Sequence, residues 1–244
     1  DPVCVPLYFV SKLARENGTY VIQVGEGADE LFSGYNLYGF YKDFNKYYKL
    51  YSSFPKVFQR IITNISQMLL PDKKIKYFEF ANENIELFWG GSTTFYENEK
   101  NNILKKSFSF NTYEKYIKDK YNYYDSKHSG YDFLNRITYL ELMQRLPELL
   151  LMRVDKMAMA NSVETRVPYL DHKLVEFSLS IPSSLKYHNG ITKYILKEAA
   201  RGIIPDYIID KKKVGFCGSA SNMVTDDIIQ YARDIFYKSD FINE

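Results

Sequence analysis

Along most of the chain, apolar residues recur at helical spacing, and one short stretch near the start departs from that pattern. Residues 6–16 place their apolar side chains on one helical face, and Gly18 is suited to end that helix. Residues 20–24 are a β-branched run that is too short for a helix and lies between Gly18 and Gly25. Because this run leaves neither face clearly polar, it is typical of a buried parallel strand. A helix, a strand and a glycine turn in this order predict half of a doubly wound α/β unit.

The rest of the pattern is helical and divides the chain into three stretches. Residues 1–35 hold the helix, the strand and the turn, and residues 36–130 form a variable region with interrupted helical patterns such as 57–70. The many Lys and Tyr residues of this region are typical of solvated helix faces, and less often of a partner surface. Residues 131–244 begin with an apolar helical run that Pro147 must break or kink. Further helices are predicted over 172–180, with Asp171 as N-cap, over 193–201, with Thr192 as N-cap, and over 223–237.

Composition excludes several classes of function. The 32 basic and 30 acidic residues nearly cancel, so no basic surface points to nucleic acid. No run of about eighteen apolar residues occurs, so the sequence predicts no membrane-spanning helix. Cys4 and Cys217 lack the spacing of metal ligands, and free thiols favour a reducing, cytoplasmic location. The chain begins at Asp1 without a charged and apolar leader, so we expect no signal peptide and expect a piece of a longer protein.

Residues 25–35, directly after the predicted strand, carry the densest chemistry. Glycines at 25 and 27 allow positive φ angles and let a ligand approach the backbone closely. Three carboxylates, Glu26, Asp29 and Glu30, fall within five residues at the start of a predicted helix. The helix dipole would favour Asp29 and Glu30 there, but it does not explain the glycines on both sides of Glu26. Carboxylates beside such a backbone cradle are suited to a magnesium ion shared with phosphates.

Two later stretches also concentrate charge. Residues 151–171 are apolar and rich in methionine, yet they carry several charged side chains. A packed helix whose charged residues face water or pair with each other explains this stretch without any chemistry, although buried charges are costly unless they are paired. Residues 211–216 contain a triple lysine, which is usually a solvated loop. The charged residues of the first stretch include Arg153, Asp155, Lys156, Glu164 and Arg166.

These three stretches resemble one family. The run Gly-Glu-Gly-Ala-Asp-Glu-Leu-Phe-x-Gly-Tyr at 25–35 resembles the central motif of the asparagine synthetases, in their ATP-using synthetase domain. Arg-x-Asp-Lys at 153–156, Glu-x-Arg-x-Pro at 164–168 and Lys-x-Gly-Phe at 213–216 are similar to further motifs of that family, in the same order. The resemblance implies a mostly α-helical second half of an α/β adenine-nucleotide α-hydrolase-like domain, of the PP-loop ATP pyrophosphatase type, with one parallel strand in this chain.

The resemblance also implies an amide-forming ligase that works in two steps. ATP adenylates a carboxylate, aspartate by default, and pyrophosphate is released. Ammonia, delivered by a glutaminase domain outside this chain, then attacks the acyl-adenylate to give asparagine or a related amide, and AMP leaves. ATP and Mg²⁺ are the implied cofactors, and the family relationship is compatible with a homodimer.

The motif positions imply roles for individual residues. By the resemblance, Asp29 would be a magnesium ligand, and Glu26 would orient or deprotonate the attacking amine. Arg153 would contact the phosphates or the pyrophosphate product, and Lys213 would neutralise the charge that develops during the reaction. The nucleotide site would be lined by backbone groups of Val24, Gly25 and Gly27.

Two parts of the family pattern do not occur in residues 1–244. One is the pyrophosphate loop, Ser-Gly-Gly-x-Asp-Ser, and the other is the glutaminase domain with its N-terminal cysteine. We therefore expect the C-terminal part of a synthetase domain, inactive as an isolated fragment. We also expect the strand at 20–24 to need partner strands from outside the chain, or from a segment assigned as helical, because buried backbone groups are almost always paired.

Two other functions fit parts of the sequence. A non-catalytic binding or assembly subunit would explain the absence of the phosphate loop, but it would not require the acidic and basic residues of the motifs. A β-lactam-forming relative resembles the same fold, but it carries tyrosine where this chain has Glu26, which favours an intermolecular amine. Aspartate is the default acceptor, and sugar-modifying and peptide-modifying relatives share these motifs.

Overall fold

The computed structural model describes residues 2–70, 72–96, 99–100, 103–104, 111–130, 132–212 and 225–239. These residues are mostly helical and include a two-stranded parallel sheet. Within the same ranges, no helix is both long enough and apolar enough to cross a membrane. The helices are α1 (Cys4–Glu16), α2 (Ala28–Leu31), α3 (Asn36–Ser52), α4 (Lys56–Leu69), α5 (Asp72–Asn82), α6 (Lys118–Lys127), α7 (Phe133–Met143), α8 (Met152–Met159), α9 (His172–Ser180), α10 (Ser183–Lys186), α11 (Tyr194–Ala200), α12 (Asp206–Ile209) and α13 (Asp226–Tyr237).

The chain forms two compact units that alternate along the sequence. The first unit comprises Asp1–Ile22, Arg153–Arg166 and Asp210–Glu244. The second unit comprises Gln23–Met152 and Val167–Ile209. The glycine-rich acidic turn therefore belongs entirely to the second unit.

The sheet pairs two short strands, β1 (Val21–Gln23) and β2 (Glu164–Arg166), in parallel. The backbone N–H of Glu164 donates to the carbonyl of Tyr20 at 2.8 Å. The prediction of a single strand in this chain is therefore wrong, because β2 lies in a stretch that the sequence assigned to a packed helix. The alternative expectation, that a segment assigned as helical supplies the partner, is confirmed. The side chains of this segment alternate between inside and outside as in a strand, since Val163 is buried while Glu164 and Arg166 are exposed.

The first unit packs α1 near the loop that leads into β2. The helix begins at Cys4, two residues before its predicted start, and it is followed by Gly18 with a φ of 72°. The side-chain amide of Asn161 donates to the carbonyl of Tyr8 at 3.2 Å, which ties the loop to the helix. The buried apolar residues of this unit include Val154, Ala158 and Val163.

Aromatic rings form much of the core of the second unit. The rings of Phe80 and Trp89 stack with their centroids 4.7 Å apart. Tyr38 is fully buried, and its ring meets the ring of Phe88 edge-on at 6.4 Å. Large rings packed in this way bury much apolar area per residue, which stabilises the unit. From α7, the core receives Phe133, Leu134, Ile137 and Leu140.

The helical path changes near Pro147, as the sequence predicts. Helix α7 ends at Met143, a π-helical segment spans Leu146–Leu151, and α8 follows at once from Met152. Proline has no N–H to donate to the carbonyl four residues earlier, which is that of Met143. The regular α-helical ladder is therefore interrupted at the point where it would need that donor.

The predicted N-caps had different outcomes. The carboxylate of Asp171 accepts a hydrogen bond from the N–H of Lys173 at 2.9 Å, which confirms it as the cap of α9. The assignment of Thr192 is wrong, because α11 begins at Tyr194 and Lys193 occupies the cap position with a φ of 54° and no capping side-chain bond. Helix α13 confirms the end of the predicted 223–237 helix, whose first two residues lie outside the described ranges.

Candidate functional site

The turn after β1 reverses the chain in a small space and starts α2. Gly27 is the N-cap of α2 and has a φ of 91°, a conformation that side chains rarely adopt. A β-carbon at this position would also overlap the side chain of Leu170. Glycine is therefore required here for both its conformation and its size, and Gly27 is buried against the side chain of Leu170.

Asp29, one of the three carboxylates of the turn, is held by a lysine from a distant part of the second unit. The ammonium Nζ of Lys193 donates to Oδ1 of Asp29 at 2.9 Å, and both side chains are mostly buried. Because the pair is largely shielded from water, its attraction is stronger than that of an exposed ion pair. The sequence did not single out Lys193. The signal that could have found it is a cation at the start of a predicted helix, where the dipole favours acids.

The absence of a side chain at Gly34 provides the space that this ion pair occupies. A β-carbon at position 34 would overlap both Oδ1 of Asp29 and Cε of Lys193. The backbone N–H of Gly34 donates to the carbonyl of Asp29 at 2.8 Å, so the turn closes on itself just past α2. Asp29, Gly34 and Lys193 thus form one interlocked arrangement, which we call the Asp29–Lys193 clamp.

Glu30 has a different environment from Asp29, although the two are adjacent in sequence. Its side chain is buried, and the hydroxyl of Tyr35 donates to its Oε1 at 2.8 Å. Its Oε2 finds no hydrogen-bond partner among the described residues. Burial raises the pKa of the Glu30 carboxyl above its ordinary value, although the Tyr35 hydrogen bond opposes that rise. Glu30 therefore belongs to the interior of the second unit and does not line an open site.

A buried ionic network lies close to the same turn, and sequence reasoning missed it. The carboxylate of Glu141 accepts bonds from the N–H of Gly91 at 2.6 Å, from the hydroxyl of Tyr38 at 3.2 Å and from Nη1 of Arg145 at 3.1 Å. The guanidinium of Arg145 lies over the ring of Tyr35, 4.6 Å from its centre. The signal in the sequence was an acid inside an apolar helical run, with an arginine four residues later.

The structure brings part of the predicted site together. Glu26 and Asp29 lie in one turn with Gly25 and Gly27, directly after Val24, in the second unit. The structure shows Glu26 as half-buried and Gly25 as exposed. Arg153 lies in α8 of the first unit, and Lys213 lies outside the described residues.

The donor set fits a magnesium ion only in part. Among the described residues, no group of three or more His, Cys, Asp or Glu side chains could hold a metal ion. The carboxylate of Asp29 is paired with a cation of the protein itself, the Lys193 ammonium. Magnesium in nucleotide enzymes is often held by one or two carboxylates together with phosphate oxygens and water. Asp29 fits that role as one ligand, provided that phosphates complete the coordination.

Comparison with known proteins identifies the family. The family model described as asparagine synthase matches residues 1–242. The chain is 32% identical to the glutamine-hydrolyzing asparagine synthetase 1 of Bacillus subtilis (strain 168), over 98% of this chain and 37% of that protein. It is also 42% identical to asparagine synthetase 3 of the same organism over 35% of this chain and 14% of that protein. A Gallus gallus asparagine synthetase is 35% identical over 27% of this chain and 12% of that protein.

The chain thus spans little more than a third of the length of the first of these relatives. No solved structure gave a significant match. The resemblance drawn from the motifs is confirmed, because the family model covers almost all of the chain. The family's domain has an adenine-nucleotide hydrolase-like fold, in line with the mostly helical chain and its parallel strands. The chain belongs to the asparagine synthase family.

Proposed function

We propose that this chain contributes the carboxylate-activating and amine-accepting half of an ATP-dependent amide ligase. In the proposed reaction, ATP adenylates a carboxylate, aspartate by default, and pyrophosphate leaves. Ammonia then attacks the acyl carbon, and AMP leaves as the amide forms. The observation that carries the proposal is the glycine-bracketed acidic turn at the carboxyl end of β1, with Asp29 fixed in the Asp29–Lys193 clamp. Membership of the asparagine synthase family supports it independently.

The backbone after β1 is the proposed contact for the nucleotide. In α/β sheets, ligands bind outside the carboxyl ends of strands, and Val24, Gly25 and Gly27 follow β1 directly. The exposed backbone of Gly25 suits a close approach of phosphate or ribose to the main chain, while the buried Gly27 shapes the turn through its positive φ. No residue with a side chain could replace Gly27 without displacing Leu170, because Leu170 fills the adjacent space.

Asp29 and Lys193 are the proposed charge partners of the phosphates. A bound magnesium ion would neutralise phosphate charge and stabilise pyrophosphate as the leaving group. Asp29 would hold that ion through its carboxylate, and the Asp29–Lys193 clamp keeps this carboxylate in a single position before any ligand arrives. Positioning before binding lowers the cost of ordering the side chain during the reaction.

Glu26 is the proposed acceptor of the amine proton. When ammonia attacks an acyl carbon, the nitrogen becomes positively charged and must lose a proton, which a nearby carboxylate can take. Glu26 is half-buried in the same turn as Asp29, unlike the fully buried Glu30, so it is the acid with access to a substrate. Arg153 and Lys213 are the proposed sources of further positive charge, for pyrophosphate and for the acyl-transfer step respectively.

A chimeric enzyme tests the function directly. Residues 1–244 would replace the matching stretch of the Bacillus subtilis asparagine synthetase 1, which supplies the rest of a synthetase. We expect the chimera to catalyse ATP–pyrophosphate exchange with aspartate and to form asparagine from ammonia. The 244-residue chain alone should give no exchange, because the Ser-Gly-Gly-x-Asp-Ser motif does not occur in it.

Glu26→Gln in that chimera separates the two steps. Amide formation should fall by about 100-fold or more, since a side-chain amide cannot accept the proton, while exchange should persist. Glu83→Gln makes the same chemical change at an exposed position and should leave both rates unchanged. A folded chimera without exchange would contradict the proposed function. Wild-type amide formation by Glu26→Gln would remove Glu26 from the mechanism.

A further inference from the structure

Helix α2 carries two adjacent acids that are anchored to different parts of the second unit. Asp29 bonds to Lys193 in the Asp29–Lys193 clamp. Glu30, the next residue, accepts a hydrogen bond from the hydroxyl of Tyr35 at 2.8 Å. Successive residues of a helix point about 100° apart, so the two anchors act on different sides of α2. Because α2 has only four residues, these anchors and the packing around them set its orientation.

The anchor at Glu30 continues from Tyr35 to the buried carboxylate of Glu141 by two routes. In the first route, the guanidinium of Arg145 lies over the Tyr35 ring, 4.6 Å from its centre, and Nη1 of Arg145 donates to Glu141 at 3.1 Å. In the second route, the rings of Tyr35 and Tyr38 meet edge-on with their centroids 5.3 Å apart, and the Tyr38 hydroxyl donates to Glu141 at 3.2 Å. Two residues that contact one buried carboxylate therefore fix Tyr35 from two directions. We call Glu30, Tyr35, Tyr38, Glu141 and Arg145 the Glu141 network.

Fold stability alone does not account for the Glu141 network. Nε of Arg145 is buried and has no hydrogen-bond partner among the described residues, and a buried unpaired donor costs free energy. A buried ion pair is often no more stabilising than apolar side chains of similar volume. Burial and, after it, the charge of Glu30 raise the pKa of the Tyr35 hydroxyl, so Tyr35 keeps its proton and stays a donor. The orientation that the network imposes on Tyr35 and Glu30 explains these costs better than stability does.

We propose that Arg145 is a positioning residue: by orienting α2 through the Glu141 network, it aligns the carboxylate of Glu26 with the attacking amine. This inference rests on the proposed function, in which Glu26 accepts the amine proton. Glu26 directly precedes Gly27, the N-cap of α2, so a rotation of the helix is passed on to it. Proton transfer requires hydrogen-bond distance, and a displacement of about 1 Å can lower a rate about 100-fold.

The two steps of the proposed reaction should respond differently to the loss of Arg145. Asp29 stays bound to Lys193 when the Glu141 network is broken, so the step that uses Asp29 keeps its geometry. Glu26 moves with the start of α2, so the step that uses Glu26 loses its geometry. A protein that is merely less stable would lose folded molecules, and both rates would fall by the same factor. The ratio of amide formation to ATP–pyrophosphate exchange therefore separates positioning from stability.

The chimeric enzyme provides the measurement, with ATP and ammonia saturating and aspartate varied. Arg145→Met should lower kcat for amide formation about 10- to 100-fold, change exchange less than about 3-fold and leave the KM for aspartate nearly unchanged. Arg145→Lys keeps the charge beside Glu141 but not the planar contact with Tyr35, so it should restore part of the rate. Arg60→Met makes the same change at an exposed position and should leave both rates unchanged.

Tyr35→Phe tests the route from Arg145 to α2, because it keeps the ring and removes the bond to Glu30. It should lower amide formation relative to exchange as Arg145→Met does, and combining the two changes should add little further loss. An equal fall of both rates, or additive losses in the double variant, would overturn the proposal. A wild-type chimera without exchange or amide formation would contradict the proposed function and this inference together, whereas a normal ratio in Arg145→Met would contradict this inference alone. Circular dichroism checks that each variant is folded.

Discussion

At the scale of the residue, Glu30 is a carboxyl group that the fold encloses next to a proposed site. Its raised pKa means that the folded state binds the carboxyl proton more tightly than the unfolded state does. The unfolding free energy should therefore fall as pH rises above about 4.5, the ordinary value for glutamate, and level off above the raised pKa. Glu30→Gln retains an oxygen for the Tyr35 hydroxyl but carries no charge.

We expect Glu30→Gln to match the wild type in stability near pH 4 and to exceed it at pH 7. Urea unfolding at the two pH values measures the difference. Glu83→Gln, at an exposed position, should show no such change with pH. A difference from the wild type that is equal at both pH values would show that the charge of Glu30 is not the cause.

Lys186 presents the opposite case, a buried amine. Its side chain is fully buried and Nζ donates to Oδ1 of Asn135 at 2.8 Å. Burial lowers the pKa of the Lys186 amine to about 8, against a weaker opposing effect from Asp132. Here the unfolded state binds the proton more tightly, so stability should rise with pH between about 8 and 10.5.

Deprotonation of Lys186 should accordingly contribute a gain of about 2 kcal/mol to the unfolding free energy of the wild type between about pH 7.5 and about pH 9.5. Lys186→Met should not show this gain, although its overall stability should be lower because Asn135 loses a donor. Both proteins carry the same tyrosines, which begin to ionise in the unfolded state at about pH 9.5, so the difference between their denaturant-unfolding profiles isolates the contribution of Lys186. Parallel pH profiles for the two proteins would contradict the assignment to Lys186.

Sequence reasoning succeeded at residues whose role is local and failed where partners are distant. The cap at Asp171 and the turn glycines follow from neighbours in the sequence, so they could be predicted. The Asp29–Lys193 clamp joins residues that are far apart in the chain, and no local pattern specifies such a partner. The burial of Glu30 depends on the packing of Tyr35 and its surroundings, and a helix-dipole argument does not include that packing.

At the scale of the element, the Asp29–Lys193 clamp connects the short helix α2 to the start of α11. Gly34 has no strained φ, so alanine there would act through its volume alone. We expect Gly34→Ala to separate Asp29 from Lys193 and to cost about 1–3 kcal/mol, as overpacking of a tight site does. Thermal or urea unfolding measures the loss.

Gly130→Ala provides the matched control, because a β-carbon there would meet nothing within 4 Å. It should leave stability unchanged or raise it slightly. In a double-mutant cycle, Gly34→Ala and Lys193→Met should be non-additive if the clamp is the site of the loss. Additive effects would mean that the alanine acts elsewhere.

Helix α4 and strand β2 show why elements were harder to predict than residues. The periodicity of 57–70 correctly indicated a helix, but a period identifies an apolar face without identifying what covers it. Strand β2 is three residues long with charged residues at both ends, so its alternation was too short to stand out against the neighbouring helix. Its assignment required the partner strand, which lies far away in sequence.

At the scale of the whole molecule, the two units are interleaved rather than consecutive. The chain leaves the first unit after Ile22, builds most of the second unit, and returns at Arg153. It crosses once more to Val167–Ile209 before the final segment. The proposed site residues follow this division, with Glu26 and Asp29 in one unit and Arg153 in the other.

The pairing of β1 with β2 has a consequence for the synthesis of the protein. The hydrogen bond from Glu164 to Tyr20 joins residues made more than a hundred peptide bonds apart. At about 5–20 residues per second, a ribosome takes roughly 7–30 s to make the intervening stretch. During that interval β1 is a nascent edge without its partner, with Tyr20 and Val21 available to other chains. Translation speed and chaperone contact with residues 20–24 should therefore govern the yield of correctly folded protein.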